Sequence, residues 1–260
     1  MSDLNTLIAP LFVPANRPER FVKAAASEAD AVIIDLEDAV PVDAKDAARA
    51  ALREAALAKP LIVRINAVGT AWHVPDCAAL TTLPVAAIML PKAERIADLD
   101  HIRRIAPVVA LIETAQGVAA AREIARSGLA ARLAFGSIDY AVDIGCDHTH
   151  AALAAARTEL VLASRLGGLP APLDGVTAAF DAPATLAEDV EMARSLGFGG
   201  KLLIHPAQAK VTLEGFRPSA EAIAWARRVL DTGDGATKID GMMIDEPVRA
   251  RARNILKRAG

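Results

Sequence analysis

Eight short apolar runs, rich in β-branched residues, recur at fairly even intervals, and this repetition constrains the fold more than any other feature of the chain. Most of the runs are apolar nearly throughout rather than alternating with polar residues, which is typical of strands buried on both faces of a parallel sheet. We therefore predict eight parallel strands, at residues 7–13, 31–36, 61–65, 86–90, 108–112, 133–135, 173–177 and 201–204.

Alanine-rich segments with helical periodicity lie between these runs. Gly128 and Gly197 follow two of the segments, at the position where the end of a helix favours a residue in the left-handed conformation. We predict helices at residues 17–29, 43–57, 94–105, 114–127, 147–166 and 185–196.

The alternation of strand and helix predicts a (β/α)8 barrel, the TIM-barrel form of the α/β class. Eight βα units in a domain of about 250 residues is the usual size of that fold. A doubly wound open sheet is the alternative, since a sequence does not show whether a sheet closes. The first predicted strand is not followed by a glycine-rich phosphate-binding motif, and this weakens the case for a dinucleotide-binding fold.

The last part of the chain departs from the βα pattern. Two further helices are predicted at residues 219–231 and 247–258, on either side of a polar stretch at 232–238. We predict a catalytic barrel domain over residues 1–216 and a C-terminal helical extension over residues 217–260.

Charge and composition exclude several classes of function. Lys and Arg number 29 against 32 Asp and Glu, so no basic field exists to bind nucleic acid or an acidic membrane surface. Aromatic residues make up only 3% of the chain, too few for base stacking. The longest uncharged stretch, between Asp76 and Lys92, is too short to span a bilayer, and no secretory signal is visible. Cys77 and Cys146 match no metal or redox spacing. We expect a cytoplasmic protein without nucleic-acid or membrane partners.

Polar residues follow every predicted strand. The carboxyl ends of parallel barrel strands open onto one face, where catalytic groups converge, so these residues together predict a polar pocket. They are Asn16, Arg17, Asp35, Glu37, Asp38, Arg64, Asn66, Lys92, Glu113, Asp139, Asp174 and His205.

Glu113 and Asp139 are the candidate metal ligands. They follow neighbouring predicted strands, and two carboxylates with open positions for water and substrate are typical of a Mg²⁺ site. Histidine and thiolate ligands are absent at these strand ends, which disfavours zinc. The alternative is a pair of carboxylates held by helix N-termini or by a nearby arginine.

Three basic residues have two interpretations each. Arg64 suits a carboxylate or a developing enolate, because its planar fork donates two parallel hydrogen bonds, but it could instead pair with Glu37 or Asp38. Lys92 could form a Schiff base if its pKa were lowered, although a salt bridge to a barrel carboxylate is favoured. His205 could be an acid or base, and a hydrogen-bonding role in the pocket wall is favoured.

Eight motifs in a fixed order give the chain a resemblance to a known family. They are LFVPANRP (11–18), DLEDAV (35–40), VRIN (63–66), LPK (90–92), IETA (112–115), FGSIDY (135–140), IHPAQ (204–208) and GMMIDEP (241–247). With these motifs the chain resembles the citrate lyase β-subunit family, within the wider group of HpcH/HpaI aldolases and malyl-CoA lyases. The resemblance covers nearly the whole length.

The resemblance implies a (β/α)8 barrel that binds Mg²⁺ and is usually trimeric or hexameric. The family cleaves β-hydroxyacyl thioesters such as citryl, citramalyl or malyl, carried on coenzyme A or an acyl carrier protein. The products are an acyl thioester and an α-keto acid such as oxaloacetate, pyruvate or glyoxylate. The expected activity is therefore that of a carbon–carbon lyase, or oxo-acid lyase, with the C-terminal extension packing on a neighbouring subunit.

Matching motifs also imply roles for individual residues. Glu113 and Asp139 would be the metal ligands, and Glu113 would also face the substrate. Arg64 would hold the carboxylate or carbonyl group of the keto acid. Arg17 would lie near the entrance for the substrate or thioester.

Four further residues would support this centre. Glu37 and Asp38 would hold metal-bound waters or the ligands themselves, with Lys92 beside them. In relatives with CoA-lyase activity, an aspartate of the C-terminal motif reaches into the site of the neighbouring subunit. Asp245 matches that position and would act as a catalytic acid.

Two other functions stay open. The protein could be a metal-dependent aldolase that acts on free hydroxy-keto acids without a thioester. It could also act mainly as the β component of a multi-subunit citrate lyase, with partner subunits supplying the carrier and transferase functions.

Overall fold

The computed structural model describes residues 4–55, 57–232, 237–239 and 242–259. The chain divides into two units, Met1–Leu213 and Glu214–Gly260. The first unit holds all the predicted strands, and the second holds the C-terminal helices. No helix in the part of the chain that the structure describes has both the length and the apolar character needed to cross a membrane.

Eight parallel strands form the centre of the first unit, each paired with the next strand along the chain. Strands β2 to β5 are fully buried along their length, as their continuous apolar character predicts. The strands are β1 (Pro10–Pro14), β2 (Ala31–Asp35), β3 (Leu61–Arg64), β4 (Ala87–Leu90), β5 (Val108–Ile112), β6 (Ala130–Phe135), β7 (Leu173–Asp174) and β8 (Gly200–Lys201).

Hydrogen bonds join the last strand to the first and close the sheet. The Lys201 amide donates to the Ile8 carbonyl at 2.7 Å, and the Phe12 amide donates to the Leu203 carbonyl at 2.8 Å. The Leu203 amide in turn donates to the Pro10 carbonyl at 3.0 Å. The predicted (β/α)8 barrel is therefore confirmed, and the open-sheet alternative is wrong.

Helices follow the strands around the outside of the barrel. They are α1 (Phe21–Ala26), α2 (Lys45–Ala51), α3 (His73–Leu80), α4 (Ala97–Arg103), α5 (Ala115–Arg126), α6 (Ser137–Ile144), α7 (His150–Leu166), α8 (Pro183–Leu196) and α9 (Gln208–Phe216). Short 3-10 turns precede α1 (Pro18–Arg20) and lie on either side of α2 (Val42–Ala44 and Leu52–Glu54).

Three of these helices, α3, α6 and α9, were not predicted. Pro75 lies inside α3, but it occupies the first turn, where a backbone N–H has no partner within the helix. Gly197 ends α8 with a φ of 104°, and Gly128 follows α5 with a φ of 74°, as predicted for residues after helix C-termini.

A buried ionic cluster joins α7 to the last two strands. Asp174 on β7 accepts a hydrogen bond from Arg157 Nε at 2.9 Å and pairs with Lys201 Nζ at 3.3 Å. All three side chains are at most 2% exposed. The Lys201 ammonium also donates to the Gly175 carbonyl at 2.5 Å. Asp174 thus lies at a strand end, as predicted, but its carboxylate is used to hold the barrel together.

In the second unit, α10 (Ala220–Leu230) and α11 (Glu246–Ala259) form a helix pair, and an antiparallel hairpin of β9 (Thr237–Ile239) and β10 (Met242–Ile244) lies between them in the sequence. Ala226, Val229, Ile244 and Ala252 form its small apolar core. Part of the predicted polar stretch, residues 233–236, lies outside the described residues. The packing of this unit on a neighbouring subunit stays a prediction.

The Asp174→Asn substitution should lower the free energy of unfolding by about 3–5 kcal/mol, because it removes the nearest counter-charge of two buried cations, Arg157 and Lys201. Chemical denaturation measures the loss. The matched control is Asp100→Asn, which removes an exposed ion pair with Arg104 and should cost less than about 1 kcal/mol. Equal losses in the two variants would show that the cluster does not stabilise the barrel.

Candidate functional site

A pocket of about 230 Å³ opens at the carboxyl ends of the barrel strands. Its wall combines apolar side chains from the barrel interior with five ionisable groups, which are Asp35, Asp38, Arg64, Glu113 and Asp139. Five of the predicted strand-end residues therefore share one cavity. The size suits a small organic acid better than a large cofactor, since pockets for drug-sized ligands span about 300–1,000 Å³.

Arg64, at the end of β3, is fixed mainly by Asp35 at the end of β2. Its Nε donates to Asp35 Oδ1 at 2.7 Å and its Nη2 donates to Asp35 Oδ2 at 2.8 Å. The same carboxylate accepts the backbone N–H groups of Glu37 and Ala39, so it is held from both sides. Such bidentate, charge-assisted pairs are among the strongest hydrogen-bonded contacts in proteins.

The third guanidinium nitrogen of Arg64 faces the pocket mouth. Nη1 lies 3.2 Å from Glu37 Oε2 and 3.4 Å from Asp38 Oδ2. The ion pairs considered for Arg64 in the sequence are thus present, but the dominant partner is Asp35, which sequence reasoning had not assigned to it. These carboxylates raise the pKa of Arg64 even though burial alone would lower it, so the guanidinium stays charged.

Lys92 joins Glu37 to Glu113. Its Nζ lies 2.8 Å from Glu37 Oε1 and 3.9 Å from Glu113 Oε1. Burial alone would lower the pKa of Lys92, but the hydrogen bond and charge of Glu37 outweigh it and raise the pKa. A Schiff-base lysine needs a lowered pKa, so the favoured salt bridge is what the structure contains.

The backbone of Lys92 also contributes to the site. Its φ is 48°, in the left-handed region that a side-chain-bearing residue rarely adopts. In this conformation the Lys92 amide donates to Glu113 Oε1 at 2.9 Å. Strain of this kind is found most often at functional positions, where the surrounding structure maintains it.

Glu113, just after β5, is 1% exposed. Burial raises the pKa of its carboxyl group to about 8, with Glu37 and Asp139 adding to the effect and Arg64 and Lys92 opposing it. Oε1 accepts the Lys92 amide, whereas Oε2 is buried and has no hydrogen-bond partner among the described residues. A buried oxygen without a partner needs an explanation, and a cation bound by this oxygen would provide one.

Gly136 provides the space in which the Glu113 side chain lies. A Cβ atom at this position would come within 2.4 Å of Glu113 Oε2 and 2.5 Å of Glu113 Cβ. Only a glycine lets the backbone after β6 pass this close to the carboxylate. Asp139 follows three residues later, in the first turn of α6, and lines the same pocket.

The balance of charge at the mouth favours a bound cation. Five carboxyl groups face two cationic side chains, namely Asp35, Glu37, Asp38, Glu113 and Asp139 against Arg64 and Lys92. Glu113 Oε2 and the acidic groups around it offer carboxylate oxygens, which are the ligands that hard divalent ions prefer. The residues therefore fit Mg²⁺, with Glu113 and Asp139 as the carboxyl groups on the pocket wall.

Sequence reasoning missed one buried lysine beneath this site. Lys45 Nζ donates to the carbonyls of Leu36 and Glu37 at 2.7 and 2.6 Å and to Asn66 Oδ1 at 2.7 Å. It connects the segments that follow β2 and β3. Burial lowers the pKa of Lys45, with the nearby carboxylates acting against it. The sequence around Lys45 is that of an ordinary amphipathic helix, so it did not indicate that this lysine is buried.

Three other predicted residues lie elsewhere. Arg17 has a side chain 56% exposed and lies 3.7 Å from Glu19, outside the pocket lining. His205 is exposed and packs its ring near Phe180, with ring centroids 5.3 Å apart. Asp245 belongs to the C-terminal unit, where it is exposed and its Oδ1 accepts the Val248 amide at the start of α11.

These features define the class: a (β/α)8 barrel with an acidic pocket at the carboxyl end of its strands, whose carboxyl groups fit a divalent cation. A comparison with known families matches residues 9–206 to the HpcH/HpaI aldolase/citrate lyase family. The chain belongs to this family, whose members are enzymes of the aldolase and citrate lyase type.

Relatives carry two kinds of name. A citrate lyase subunit beta-like protein of Mycobacterium tuberculosis is 41% identical, over 96% of this chain and 94% of that protein. A (3S)-malyl-CoA thioesterase of Cereibacter sphaeroides is 34% identical, over 96% of this chain and 93% of that protein. A crystal structure of CitE from M. tuberculosis with magnesium, acetoacetate and coenzyme A has a TM-score of 0.89 and 38% identity, and covers 99% of this chain and 100% of that chain.

The Gly136→Ala substitution should displace the Glu113 carboxylate, because the new methyl group would overlap it. We expect a loss of Mg²⁺ binding, measured by isothermal titration calorimetry, with the barrel still folded by circular dichroism. The control is Gly128→Ala, where a Cβ would meet no atom within 4 Å and the positive φ supplies only backbone strain. Mg²⁺ binding by Gly136→Ala equal to that of the control would contradict this account of the glycine.

Proposed function

We propose that this protein is a Mg²⁺-dependent carbon–carbon lyase that cleaves a β-hydroxyacyl thioester into an acyl thioester and an α-keto acid. The observation that carries the proposal is the buried Glu113 carboxylate, whose Oε2 has no partner among the described residues and whose pocket also contains Asp139 and Arg64. Candidate acyl groups are citryl, citramalyl and malyl, carried on coenzyme A or an acyl carrier protein.

Glu113 and Asp139 would hold the metal ion. Membership of the family and the magnesium in the similar CitE structure support this assignment. When bound, Mg²⁺ supplies a Lewis acid that acidifies the substrate hydroxyl group and binds the keto-acid oxygens. The charge surplus described above also explains why a metal is needed, since an anionic substrate would otherwise be repelled by the carboxylates at the mouth.

Arg64 would bind the oxygens of the keto-acid half of the substrate through Nη1. Asp35 already occupies Nε and Nη2 and fixes the plane of the guanidinium, which also lies 5.0 Å from the centre of the Phe12 ring. A donor that is positioned before the reaction begins stabilises developing negative charge without a cost of reorganisation. The exposed Asp38 carboxylate, only loosely paired with Nη1, can give way to the substrate.

Cleavage requires two proton transfers, one from the substrate hydroxyl group and one to the enolate carbon. The hydroxyl proton leaves to a carboxylate at the pocket mouth as the carbon–carbon bond breaks, and the electron pair of that bond passes to the thioester enolate. The enolate carbon then takes a proton from an acid to give the acyl thioester. Asp245 of a neighbouring subunit would be that acid, which makes the active form a homo-oligomer, a trimer or hexamer.

The pocket volume limits which part of the substrate lies inside it. A cavity of about 230 Å³ accommodates a keto acid the size of glyoxylate, pyruvate or oxaloacetate, but not coenzyme A. The carrier would extend outside, past the exposed Arg17 at the end of β1. The similar CitE structure, which contains both acetoacetate and coenzyme A, supports such a division.

Thioester hydrolysis is the second candidate reaction. The relative named (3S)-malyl-CoA thioesterase supports this candidate, because it is 34% identical to this chain over nearly its whole length. Two further alternatives keep the barrel and its metal: an aldolase acting on free hydroxy-keto acids, and the β component of a citrate lyase assembly. Each gives different products or needs different partners, so one assay separates them.

The test is to incubate the purified protein with citryl-, citramalyl- and malyl-CoA and to measure keto acid and free coenzyme A in parallel. The lyase releases keto acid with no free thiol, whereas a thioesterase releases free thiol with no keto acid. EDTA should abolish turnover and added Mg²⁺ should restore it. Turnover of free hydroxy-keto acids alone would favour the aldolase, and inactivity without added carrier subunits would favour the assembly component.

The Glu113→Gln variant is the internal control of this assay. It keeps the oxygen that accepts the Lys92 amide but loses the charge, so kcat/KM should fall at least about 100-fold, since a bound metal contributes several kcal/mol. The matched variant Glu94→Gln also retains a hydrogen-bond acceptor, for Thr114, and should keep full activity. An active Glu113→Gln protein would refute the assignment of the metal ligand.

Subunit complementation tests the role of Asp245. Glu113→Gln and Asp245→Ala chains, each inactive alone, should regain activity when they are co-expressed with different tags and purified as mixed oligomers. A mixed oligomer then contains some sites with one intact Glu113 and one intact Asp245 from different chains. No recovery in verified mixed oligomers would place Asp245 outside the neighbouring site, and a monomer by light scattering would exclude the arrangement.

A further inference from the structure

A second group of possible metal ligands lies outside the pocket, on the helices that follow β3 and β4. His73 and Cys77 are one turn apart on α3, and His101 comes from α4. We call these three residues the His–Cys cluster. Its three ligand atoms all lie within 4.8 Å of one another. Within the described residues it is the one group of three or more histidine, cysteine or acidic side chains with this spacing.

The orientation of His73 prepares it to bind a metal ion. Its Nδ1 lies 2.8 Å from the Asn66 carbonyl oxygen, which can only accept a hydrogen bond, so Nδ1 carries the proton. The other ring nitrogen, Nε2, therefore has a free lone pair. It lies 2.8 Å from His101 Nε2 and 3.8 Å from Cys77 Sγ. A backbone carbonyl that fixes the tautomer in this way accompanies most metal-binding histidines.

We propose that the His–Cys cluster binds one Zn²⁺ ion through His73 Nε2, His101 Nε2 and Cys77 Sγ. Tetrahedral zinc, with Zn–N of about 2.0–2.1 Å and Zn–S of about 2.3 Å, separates two nitrogens by about 3.3 Å and nitrogen from sulfur by about 3.6 Å. The distance of 3.8 Å from Cys77 Sγ to His73 Nε2 is already close to this value, and His101 lies within 4.8 Å of both. The two nitrogens must move apart by about half an ångström, which the exposed His101 side chain allows.

The proton balance of binding is simple. Without metal, the His101 Nε2–H donates to His73 Nε2. On binding, neutral His101 holds its proton on Nδ1, and the Cys77 thiol releases one proton to solvent and becomes the thiolate ligand. The fourth position of the ion is filled by water on the exposed side of His101. No oxidant or reductant takes part.

This site and the acidic pocket differ in chemistry, so they select different ions. The pocket offers only oxygen donors, which suit Mg²⁺, whereas imidazole and thiolate suit Zn²⁺. Spacing along the chain does not reveal the cluster, because His101 is contributed by a separate helix. Zinc at this position would join α3 to α4.

The cluster is also connected to the loop that follows Arg64. Asn66, whose backbone carbonyl accepts the hydrogen bond from His73 Nδ1, donates its backbone N–H and its side-chain NH₂ to Asp76 Oδ2 at 2.9 and 2.6 Å. Asn66 is 2% exposed and Asp76 is fully buried. A bound ion would therefore hold α3, α4 and the end of β3 in one arrangement, and it would stabilise the barrel whether or not the proposed lyase activity is correct.

The experiment uses full-length protein stripped with a chelator and returned to excess Mg²⁺, so that the acidic pocket is saturated. Zn²⁺ is titrated calorimetrically, and Co²⁺ is added separately to record the thiolate-to-cobalt charge-transfer band and the visible bands of tetrahedral cobalt. We expect one Zn²⁺ per chain, a Tm raised by Zn²⁺, and both cobalt bands.

The variants Cys77→Ala and His101→Ala should each weaken Zn²⁺ binding by more than the roughly 10–100-fold that loss of a supporting hydrogen bond costs. The charge-transfer band should disappear in Cys77→Ala. Cys146→Ala, which removes the other free cysteine, is the matched control and should bind as the wild type does. Because His101 is exposed, its variant should fold even if the Cys77 variant does not.

Each contrary result overturns the proposal. Unchanged Zn²⁺ affinity in His101→Ala, or cobalt bands that persist in Cys77→Ala, would place the ion elsewhere. Loss of Zn²⁺ binding in Glu113→Gln alone would assign it to the acidic pocket. Absence of binding in the wild type would show that the cluster is a hydrogen-bonded histidine pair next to a thiol.

Discussion

Burial of the Glu113 carboxylate at the end of β5 is the constraint on which the pocket depends. A carboxylate out of water is costly unless hydrogen bonds or opposite charges compensate it. The Lys92 amide compensates one oxygen, and it can do so only because that residue adopts a left-handed backbone conformation. The second oxygen has no partner among the described residues, and burial raises the pKa of the carboxyl group to about 8. This incomplete compensation is the feature on which the proposed metal site rests.

The cationic side chains at and below the pocket mouth have hydrogen-bond or ion-pair partners. Asp35 takes two nitrogens of Arg64, and Glu37 takes the ammonium of Lys92. Lys45 fastens the segment after β2 to the segment after β3 from below. Each cation is therefore held by carboxylate or carbonyl oxygens, and Glu113 Oε2 is left as an acceptor without a partner among the described residues.

The strand ends around the barrel are used unequally. The ends of β2 to β6 supply the acidic pocket, whereas Asp174 at the end of β7 is fully enclosed with Arg157 and Lys201. Acidic residues at equivalent strand ends thus line the pocket in one part of the barrel and form buried ion pairs in another. What separates the two is whether cations surround the carboxylate, and for Asp174 these cations come from α7 and from the neighbouring strand β8.

Sequence reasoning predicted much of this arrangement and missed definable parts of it. The strands were found because fully buried strands are continuously apolar, and Glu113, Asp139 and Arg64 were brought together because parallel strands end on one face. Asp35 was seen as a strand-end residue, but its pairing with Arg64 depends on register. Helix α3 was not predicted, and its proline, Pro75, lies in the first turn, where a proline is tolerated.

The sequence by itself determined the alternation of parallel strands and helices, the face on which the polar groups converge, and the family, because periodicity and motif order are properties of the chain. Tertiary structure alone decided barrel closure, the burial of Glu113, the enclosure of Asp174 and the meeting of His73, Cys77 and His101. These depend on distances between elements far apart in the chain, and on how completely neighbouring groups exclude water. Neither quantity is encoded by any local pattern of residues.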